Sequence, residues 1–445
     1  MCSVHFSLIS VARGVLGLLI LLGISFLFSK NKKQINWRLV FSGLGLQLLF
    51  AFLIFKVPFV KGFFDALAKG FTILLSFTFE GADFVFGAWP DLVNVVDSNT
   101  GQIAEVGYIF VFKVLPTIVF FSALTSVLYY LGILQRVVKG IAWVMMKVMK
   151  LSGSESLAAA GNIFLGQTEA PLLVKPYIPK MTKSEINALM TGGMATIAGG
   201  VLAAYIQFLG GASTSEQLVF ATHLLSASIM SAPAALIMAK ILIPETEAIN
   251  SDLEISKDKI GKNILEAITN GTSEGVKLAV NVGAMLLVFT AFVAMINYLF
   301  GLLGNIGDFN AYIANNNSFG QEKLTLQYIL GILFAPLAFV IGIPLEDIFV
   351  AGQLIGEKTV LNEFFAYIHL GEFKNSGLFS NERSIIILTY ALSGFSNIAS
   401  IGIQIGGISS IAPNKKTQLS QMALYALIGG TFACLMTAAV AGMFF

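Results

Sequence analysis

The chain has 445 residues, of which 56% are hydrophobic and 12% are charged, and its mean hydropathy is +0.81. Because soluble domains carry about 25% charged residues, this composition excludes a soluble globular protein and indicates a polytopic membrane protein. Long continuous apolar runs favour membrane-spanning helices over a β-barrel. The net charge of +2 gives no reason to expect a nucleic-acid partner. Two cysteines and three scattered histidines offer neither a disulfide framework nor a metal site.

The first apolar run covers residues 5–29 and has the length of a signal peptide. It lacks a basic start and a small-residue cleavage site, and Arg13 interrupts it, so we predict a retained first span. Each further predicted span approaches or exceeds the roughly 20 residues needed to cross a bilayer. The eight predicted spans cover residues 5–29, 38–56, 105–131, 183–208, 218–243, 276–301, 384–409 and 418–444.

Other apolar stretches carry too many charges to be plain spans. Residues 58–87 mix phenylalanines with acidic and basic residues, and residues 133–150 carry four basic residues. Both stretches are predicted to be amphipathic helices at the membrane interface. Residues 261–280 are a weaker case of the same pattern. Residues 327–343 are apolar enough to span, but their prolines and glycines leave that assignment open.

Polar segments separate these stretches. Residues 88–104 and 302–325 are rich in Asn, Asp, Gly and Ser and are predicted loops. Residues 244–263 contain eight charged side chains and are predicted to be a solvated linker between two halves.

Basic residues set the predicted orientation, because cytoplasmic loops carry an excess of Lys and Arg. If the three basic clusters are all cytoplasmic, eight spans place both termini outside the cell. The clusters are Lys30, Lys32, Lys33 and Arg38; Lys147, Lys150, Lys180 and Lys183; and Lys415 and Lys416.

Two short polar strings interrupt the apolar stretches and resemble each other. One is GQTEAP at residues 166–171 and the other is GEKTVLNEF at residues 356–364, so their first glycines are 356 − 166 = 190 residues apart. A carboxylate at membrane depth is costly unless it is paired or faces water. Its occurrence in both strings therefore indicates a site for a polar solute.

The predicted topology gives the two strings opposite orientations. The first lies between spans that end and start inside, and the second between spans that end and start outside. Each string is followed by an interrupted span, at residues 196–200 and 394–400. Inverted repeats with broken helices are the architecture of secondary transporters. The predicted units are N-terminal scaffold spans at 1–56, a first repeat at 57–243 and a second at 244–445.

The first string is predicted to form the tip of a re-entrant hairpin, because neither apolar arm beside it is long enough to span. Gln167 and Thr168 offer donors and acceptors, and Glu169 offers an acceptor. This set suits a flat, neutral, hydrogen-bonding ligand group. The alternative is that Gln167 and Thr168 only bond neighbouring helices.

In the second string, Asn362 and Glu363 pair an amide with a carboxylate, which suits vicinal hydroxyls. Lys358 is a candidate charge partner of Glu363, with a purely structural ion pair as the alternative.

The second interrupted span adds three candidates. Asn397 and Ser400 are spaced i, i+3 and share a face if their segment is helical. Phe395 precedes them and is suited to stack on a ring, with ordinary packing as the alternative.

Oxygen ligands for a hard cation lie beside the first string and the first interruption. Asn162, Thr196 and exposed carbonyls near Leu165 and Ile197 are able to form a small sodium cage at unwound backbone. For Asn162, an ordinary helix contact is the alternative. The sequence has no Walker motif and no nucleophile–base constellation, so neither ATP-driven transport nor enzymatic catalysis is indicated.

These motifs resemble the concentrative nucleoside transporter family. The family signature G-x-K-x-x-x-N-E-F followed by V-A-Y is matched at residues 356–367, with Phe365 in place of the usual Val. GQTEAPL at 166–172 is the family's other hallmark, and GFxNxxS at 394–400 also matches. The span pattern agrees over essentially the whole chain.

The resemblance implies an all-α polytopic membrane protein with eight transmembrane helices, two re-entrant hairpins and interfacial helices. It implies a homotrimer in a bacterial plasma membrane, with a scaffold and a transport unit that moves in an elevator-like step. It further implies a nucleoside substrate such as uridine, with sodium as the coupling ion.

The resemblance also assigns site residues. For the nucleobase they are Gly166, Gln167, Thr168 and Glu169; for the ribose, Glu363, Asn397 and Ser400; and as lining, Val201 and Phe395. The sodium ligands would be the side chains of Asn162 and Thr196 and the backbone of Leu165 and Ile197. The family commonly has Ser at the position of Thr196 and Val at that of Leu165.

Several alternatives stay open. Some bacterial members of the family use protons, so proton-coupled nucleoside symport is the first. A transporter of amino acids or dicarboxylates would need fixed cationic groups for the carboxylate, whereas the strings offer acidic and amide residues. An intramembrane enzyme with Glu169 and Glu363 as a catalytic pair would not need a two-sided repeat. A channel would neither saturate nor accumulate its solute.

Overall fold

The computed structural model describes residues 8–87, 94–96, 103–105, 110–211, 213–250, 261–315 and 321–445. Most of these residues are helical. The helices up to the predicted linker are α1 (Leu8–Leu27), α2 (Trp37–Lys56), α3 (Pro58–Phe86), α4 (Phe110–Lys113), α5 (Leu115–Tyr130), α6 (Ile133–Met149), α7 (Gly153–Asn162), α8 (Ala170–Leu173), α9 (Lys183–Ala195), α10 (Gly199–Gly210) and α11 (Thr214–Leu242).

The second half begins with the longest of the described helices. Its helices are α12 (Ile264–Gly304), α13 (Phe309–Asn315), α14 (Leu326–Val340), α15 (Ile348–Val360), α16 (Glu363–Asn375), α17 (Glu382–Ala391), α18 (Ile398–Ile411) and α19 (Lys416–Gly442). Short 3-10 turns occupy Lys32–Gln34, Ile178–Lys180, Ile306–Asp308, Leu345–Asp347 and Pro413–Lys415. Two short strands, β1 (Asn94–Val96) and β2 (Ile103–Glu105), pair antiparallel.

Helical segments that are long and apolar enough to cross a membrane fall on seven of the eight predicted spans. The predicted span over 384–409 is the exception, because α17 and α18 divide it. An eighth such segment is α3, whose 29 residues were expected to lie at the interface. The eight segments are Leu8–Leu27, Trp37–Lys56, Pro58–Phe86, Phe110–Tyr130, Lys183–Gly210, Thr214–Leu242, Ile264–Gly304 and Pro413–Gly442.

Several predicted boundaries were wrong. The span expected at 276–301 begins at Ile264, so residues 264–280 belong to α12 and form no separate interfacial helix. Its start is set by Asn263, whose side chain accepts from the backbone N–H of Glu266. The loop expected at 302–325 contains α13, and part of the loop expected at 88–104 is paired in the two strands. Residues 1–7 and residues 251–260, half of the predicted linker, lie outside the described residues.

The core lies around α9, α11 and α19. In the most apolar part of α11, 89% of the residues are buried, against 17% in α12. A helix that is buried on all sides must be apolar or small all round, and α11 is rich in Ala and Ser and α19 in Ala and Gly. By contrast, α1, α3 and α12 expose large apolar side chains, as expected for helices at the outside of a membrane protein.

The two halves repeat one order of elements. A pair of short helices (α7–α8 or α15–α16) is followed by an interrupted helix (α9–α10 or α17–α18) and then by a long buried helix (α11 or α19). The halves are interleaved, since α9 and α17 each pack against both α11 and α19. The division of the chain into two repeats of opposite orientation stays a prediction.

Both interruptions have local causes. After α9, Thr196 adopts extended backbone, and α10 restarts only at Gly199. After α17, Gly394 has a φ of 153°, which favours glycine, and a Cβ there would lie 2.7 Å from Cys434 Sγ. Asn397 then caps α18 by accepting from the backbone N–H of Ser400. The interruptions therefore leave backbone groups and polar side chains outside helices in the interior of the protein.

Candidate nucleoside and cation site

The first hairpin consists of α7, a turn over residues 163–169 and α8. It is stabilised at its base by a capping box in which Ser152 accepts from Glu155 N–H and Glu155 accepts from the backbone of Ser152. At the turn, the backbone N–H of Gly166 donates to Glu169 Oε2 across 3.2 Å. Gln167 is buried and Thr168 is exposed. Residues 166–169 of the polar string thus lie in the turn between two short helices, and its position at the tip of a re-entrant hairpin stays a prediction.

The second hairpin consists of α15, a turn at Leu361 and Asn362, and α16. Asn362 caps α16 by accepting from Phe365 N–H at 2.9 Å, and Glu363 is the first residue of that helix. Glu363 is 3% exposed. Because it begins α16, the free backbone N–H groups of the first turn favour its negative charge. A buried acid is therefore held at the second turn.

The equivalence of the two strings needs correction. Gly166 lies in the first turn, whereas Gly356 lies inside α15 and packs against Leu330 and Phe334. The corresponding part of the second string is its end at residues 361–363. A sequence alignment that starts from the two glycines therefore misplaces the turns.

Lys358 and Glu363, both of them described side chains, form no direct ion pair, although the charge of Lys358 acts on that carboxylate. Lys358 is 1% exposed, and its Nζ donates to the carbonyl of Ala391 at 2.9 Å. Lys358 therefore joins α15 to the end of α17, just before the second interruption.

Both hairpin turns meet at the N-terminus of α18. From the second turn, Glu363 Oε2 accepts from Asn397 Nδ2 at 2.7 Å. From the first turn, Gln167 Nε2 donates to Ser400 Oγ at 3.1 Å. All four side chains are at most 8% exposed. Residues from the two halves of the chain thus form one buried polar cluster.

Tyr205 is a member of this cluster that the sequence interpretation missed. Its hydroxyl donates to Glu363 Oε1 at 3.3 Å, and its ring stacks on Tyr367 with centroids 4.4 Å apart. Tyr205 lies one helical turn after Val201 on α10, so a search along the same helix face would have found it. Val201 itself is buried on α10, and Phe395 is partly buried in the second interruption.

Gln404 is a second residue that was missed. It lies one turn after Ser400 on α18, and its Nε2 donates to the carbonyl of Met190 at 3.0 Å. A Cβ on Gly193 would lie 2.7 Å from Gln404 Nε2 and 2.9 Å from Gln167 Cβ. The absence of a side chain at Gly193 lets the first turn and α18 approach the end of α9.

The segments that carry the predicted cation ligands are linked to each other. The carbonyl of Phe164 accepts from Gly199 N–H at 3.0 Å, which ties the first turn to the first interruption. At the end of α9, Thr196 Oγ1 donates to the carbonyl of Gly192 at 3.0 Å. A Cβ on Gly192 would lie 3.0 Å from Asn162 Nδ2, so the amide of Asn162 is directly beside this turn.

The donor set fits a hard cation. Asn162 is 1% exposed, yet neither atom of its side-chain amide has a hydrogen-bond partner. Among the described residues, no hydrogen bond reaches the carbonyl oxygens of Leu165 or Ile197. A buried amide without a partner is destabilising by about 1–3 kcal/mol. Neutral amide, hydroxyl and carbonyl oxygens are the ligands used for sodium at unwound helices.

The apolar helices surround two helical hairpins and two interrupted helices, and polar groups converge between them. This architecture is that of a secondary transporter. Three family profiles match the chain. "Na+ dependent nucleoside transporter N-terminus" matches residues 16–89, "Nucleoside recognition" matches 111–212, and "Na+ dependent nucleoside transporter C-terminus" matches 223–442.

Individual relatives agree. The chain is 41% identical to a transporter of Haemophilus influenzae, covering 98% of both chains. It is 40% identical to nucleoside permease NupC of Helicobacter pylori, covering 97% of both. It is also 41% identical to solute carrier family 28 member 3 of Rattus norvegicus, and it spans 58% of the length of that protein.

Solved structures of CNTnw have the same fold. The inward-facing substrate-bound state matches with a TM-score of 0.84 and 37% identity, covering 98% of this chain and 99% of that one. A variant of CNTnw in an outward-facing state matches with a TM-score of 0.86 and 37% identity, covering 98% of both. The chain belongs to the concentrative nucleoside transporter family.

Proposed function

We propose that this protein is a sodium-coupled symporter that accumulates nucleosides such as uridine in the cell. The observation that carries the proposal is the junction of both hairpin turns at α18, through Gln167–Ser400 and Glu363–Asn397. A nucleoside has a flat hydrogen-bonding base and a ribose with vicinal hydroxyls. The cluster offers a matching group for each part.

The first turn would bind the base. Gln167 has both donor and acceptor atoms, and its Oε1 has no partner although the side chain is buried. Gly166, Thr168 and Glu169 complete this edge. An unpaired buried oxygen favours a ligand that supplies an N–H donor, as nucleobases do.

The second turn and α18 would bind the ribose. Glu363 accepts from Asn397 and Tyr205, and carboxylate oxygens have further lone pairs available for ribose hydroxyls. Ser400 lies next to this pair, and Val201 and Phe395 would supply apolar contact to the nucleoside rings.

Sodium would couple to this site through the first turn. Asn162 and Leu165 belong to the first hairpin, and Thr196 and Ile197 belong to the interruption after α9. An ion held between them fixes the turn that carries Gln167, two residues beyond Leu165. Sodium therefore favours nucleoside binding, and nucleoside favours sodium binding by the same factor.

Transport would follow an elevator-like step. The hairpins, the interrupted helices, α11 and α19 would form the moving unit, since they pack on one another around the site. The more exposed helices would form a scaffold in a homotrimer in the plasma membrane of a bacterium, with both termini outside. The protein would perform no covalent chemistry on its substrate.

The test is uptake of radiolabelled uridine into proteoliposomes under an imposed sodium gradient or an equal proton gradient. We expect accumulation with sodium alone, abolished in Glu363→Gln and Asn162→Ala. Matched controls are Glu346→Gln and Asn375→Ala, because these two side chains are exposed.

Each other outcome has a distinct meaning. Accumulation with protons alone would keep nucleoside symport and reject sodium coupling. Uptake that never exceeds equilibrium would indicate a channel. Chemically altered uridine in detergent, without any gradient, would indicate an enzyme. If folded protein takes up no nucleoside under either gradient, the proposed substrate is wrong.

A further inference from the structure

Helix α6 leads directly into the first hairpin and has three different faces. One face is apolar and packs on the protein, chiefly against α7, α2 and α5. The buried side chains of α6 all lie on this face, and they are Leu134, Val138, Ala142, Met145 and Met149. The helix is thus fixed to the protein along its whole length.

A second face carries a basic stripe. Arg136, Lys139, Trp143 and Lys147 are separated by three, four and four residues, which places them on one side of a helix. Lys150 follows at the next position of the same stripe and caps the helix. All five side chains are exposed, and Trp143 is 54% exposed.

The described part of the protein supplies no acidic partner for the stripe. Helix α6 contains no acidic residue. Within the described ranges, none of the four basic side chains forms an ion pair, whereas Lys240 and Lys374 do so with glutamates. Four cations at one surface repel one another, so the stripe favours an anionic partner.

A third face, between the first two, is apolar and exposed. Ile133, Val137 and Val148 are each 44% exposed on this face. A helix with an apolar side, a basic side and a Trp between water and hydrocarbon is suited to the plane of the membrane interface. In that plane the apolar face enters the acyl region and the basic stripe reaches the headgroups.

We propose that the basic stripe of α6 binds the headgroups of anionic phospholipids. Polybasic surfaces beside a bilayer are attracted to anionic lipids, and the attraction adds up over the basic residues. The stripe from Arg136 to Lys147 is about 16 Å long, at 1.5 Å per residue. Because only Lys150 to Ser152 separate α6 from α7, lipid bound here also anchors the base of the first hairpin. The proposal concerns a surface apart from the solute site and does not rest on the proposed function.

The test uses Trp143 as a reporter in reconstituted vesicles. The fluorescence lost on adding brominated lipid is measured for the full chain and for Trp143→Phe, and the difference belongs to Trp143. We expect brominated phosphatidylglycerol to quench Trp143 at least about twofold more than brominated phosphatidylcholine at equal mole fraction.

Two charge variants isolate the stripe. The combined variant Arg136→Gln, Lys139→Gln, Lys147→Gln and Lys150→Gln should remove the preference for phosphatidylglycerol and keep Trp143 accessible to both lipids. A control with the same change in net charge is Lys33→Gln, Arg38→Gln, Lys69→Gln and Lys323→Gln, at exposed positions outside α6. It should keep the preference.

Three results would overturn the proposal. They are equal quenching by the two lipids, quenching by neither lipid, and loss of the preference in the control variant. The second result would mean that another protein surface covers the stripe. All three are read from binding alone, so they stay distinguishable from a failure of nucleoside uptake.

Discussion

Asn397 donates its side-chain amide to Glu363 Oε2 across 2.7 Å and accepts from the backbone N–H of Ser400 at 2.8 Å. One side chain therefore caps α18 and holds the carboxylate at the start of α16. Asn397→Asp should keep the cap, because Asp is as good a capping residue as Asn. It places a second carboxylate against Glu363, so uridine binding should be lost, as measured by isothermal titration in detergent.

Two further variants distinguish the effect of losing the helix cap from the effect of losing the contact with Glu363. Asn397→Ala should lose uridine binding and also about 1 kcal/mol of stability. Asn36→Ala removes a similar cap from α2, where Asn36 accepts from Leu39 N–H. It should lower thermal stability by a similar amount and leave uridine binding unchanged. Normal binding by Asn397→Asp would exclude Asn397 from the solute site.

Tyr205 and Tyr367 stack on each other, but their hydroxyls have different partners. Tyr205 bonds Glu363 at 3.3 Å, and Tyr367 bonds the carbonyl of Thr389 at 2.7 Å. Tyr205→Phe should weaken uridine binding by about 1 kcal/mol, or roughly fivefold, because one hydrogen bond to the carboxylate is lost. The affinity is measured by competition with labelled uridine.

Tyr367→Phe is the matched control for that change. It leaves a buried carbonyl without its donor, which should reduce stability by about 1–3 kcal/mol without changing uridine affinity. If both variants lose affinity equally, the tyrosine stack supports the site only as a whole and Tyr205 has no special role.

The sequence predicts the helices well where apolar runs are long, and the two interruptions where glycine and polar residues fall inside such runs. It predicts Gln167, Glu363, Asn397 and Ser400 as site residues, and the structure brings these four together. Polar residues in an apolar context are costly unless they are used, which makes them visible without a structure.

What was missed depends on tertiary contacts. Tyr205 and Gln404 lie on helices that pass beside the hairpin turns, and only their spacing of one turn from Val201 and Ser400 marks them as candidates. Lys358 is close in sequence to Glu363 but bonds the end of another helix. The start of α12 was missed because its first turns mix polar and apolar residues, so local hydropathy there is weak.

Gly193 marks the closest approach of the first turn and α18 to α9. Gly193→Ala would place a Cβ 2.7 Å from Gln404 Nε2 and 2.9 Å from Gln167 Cβ, and one of them must move. Overpacking of this kind is destabilising by about 1–3 kcal/mol. Uridine affinity, measured by titration, should fall about tenfold or more.

Gly402→Ala is the matching change on α18, where a Cβ meets nothing within 4 Å. Since Ala is the better helix former by about 0.5–1 kcal/mol, this variant should be slightly more stable and bind uridine normally. Unchanged affinity in Gly193→Ala would show that the first turn tolerates displacement.

Sodium binding can be measured without transport. A ligand that binds only the folded protein stabilises it by about 2.7 kcal/mol when its concentration is about 100 times its dissociation constant. Adding NaCl should therefore raise the melting temperature of the purified protein more than KCl does at equal ionic strength. Asn162→Ala should remove this difference, because it removes the unpaired amide, and Asn375→Ala should keep it. An equal effect of the two salts on the unaltered protein would argue against a sodium site.

The base of the first hairpin depends on a buried charge. Lys240 at the end of α11 contacts Glu155 of α7 and donates to Glu245 at 3.1 Å and to Ser184 at 2.9 Å. Removing one partner of a buried pair leaves an unpaired charge and is destabilising by about 3–5 kcal/mol. Lys240→Met should therefore lower thermal stability strongly, and Glu155→Gln added to it should restore part of the loss.

The control is Lys277→Met, which breaks an exposed pair with Glu274 and should change stability by less than about 1 kcal/mol. If Lys240→Met is as stable as Lys277→Met, the hairpin base is held by its capping box and packing alone.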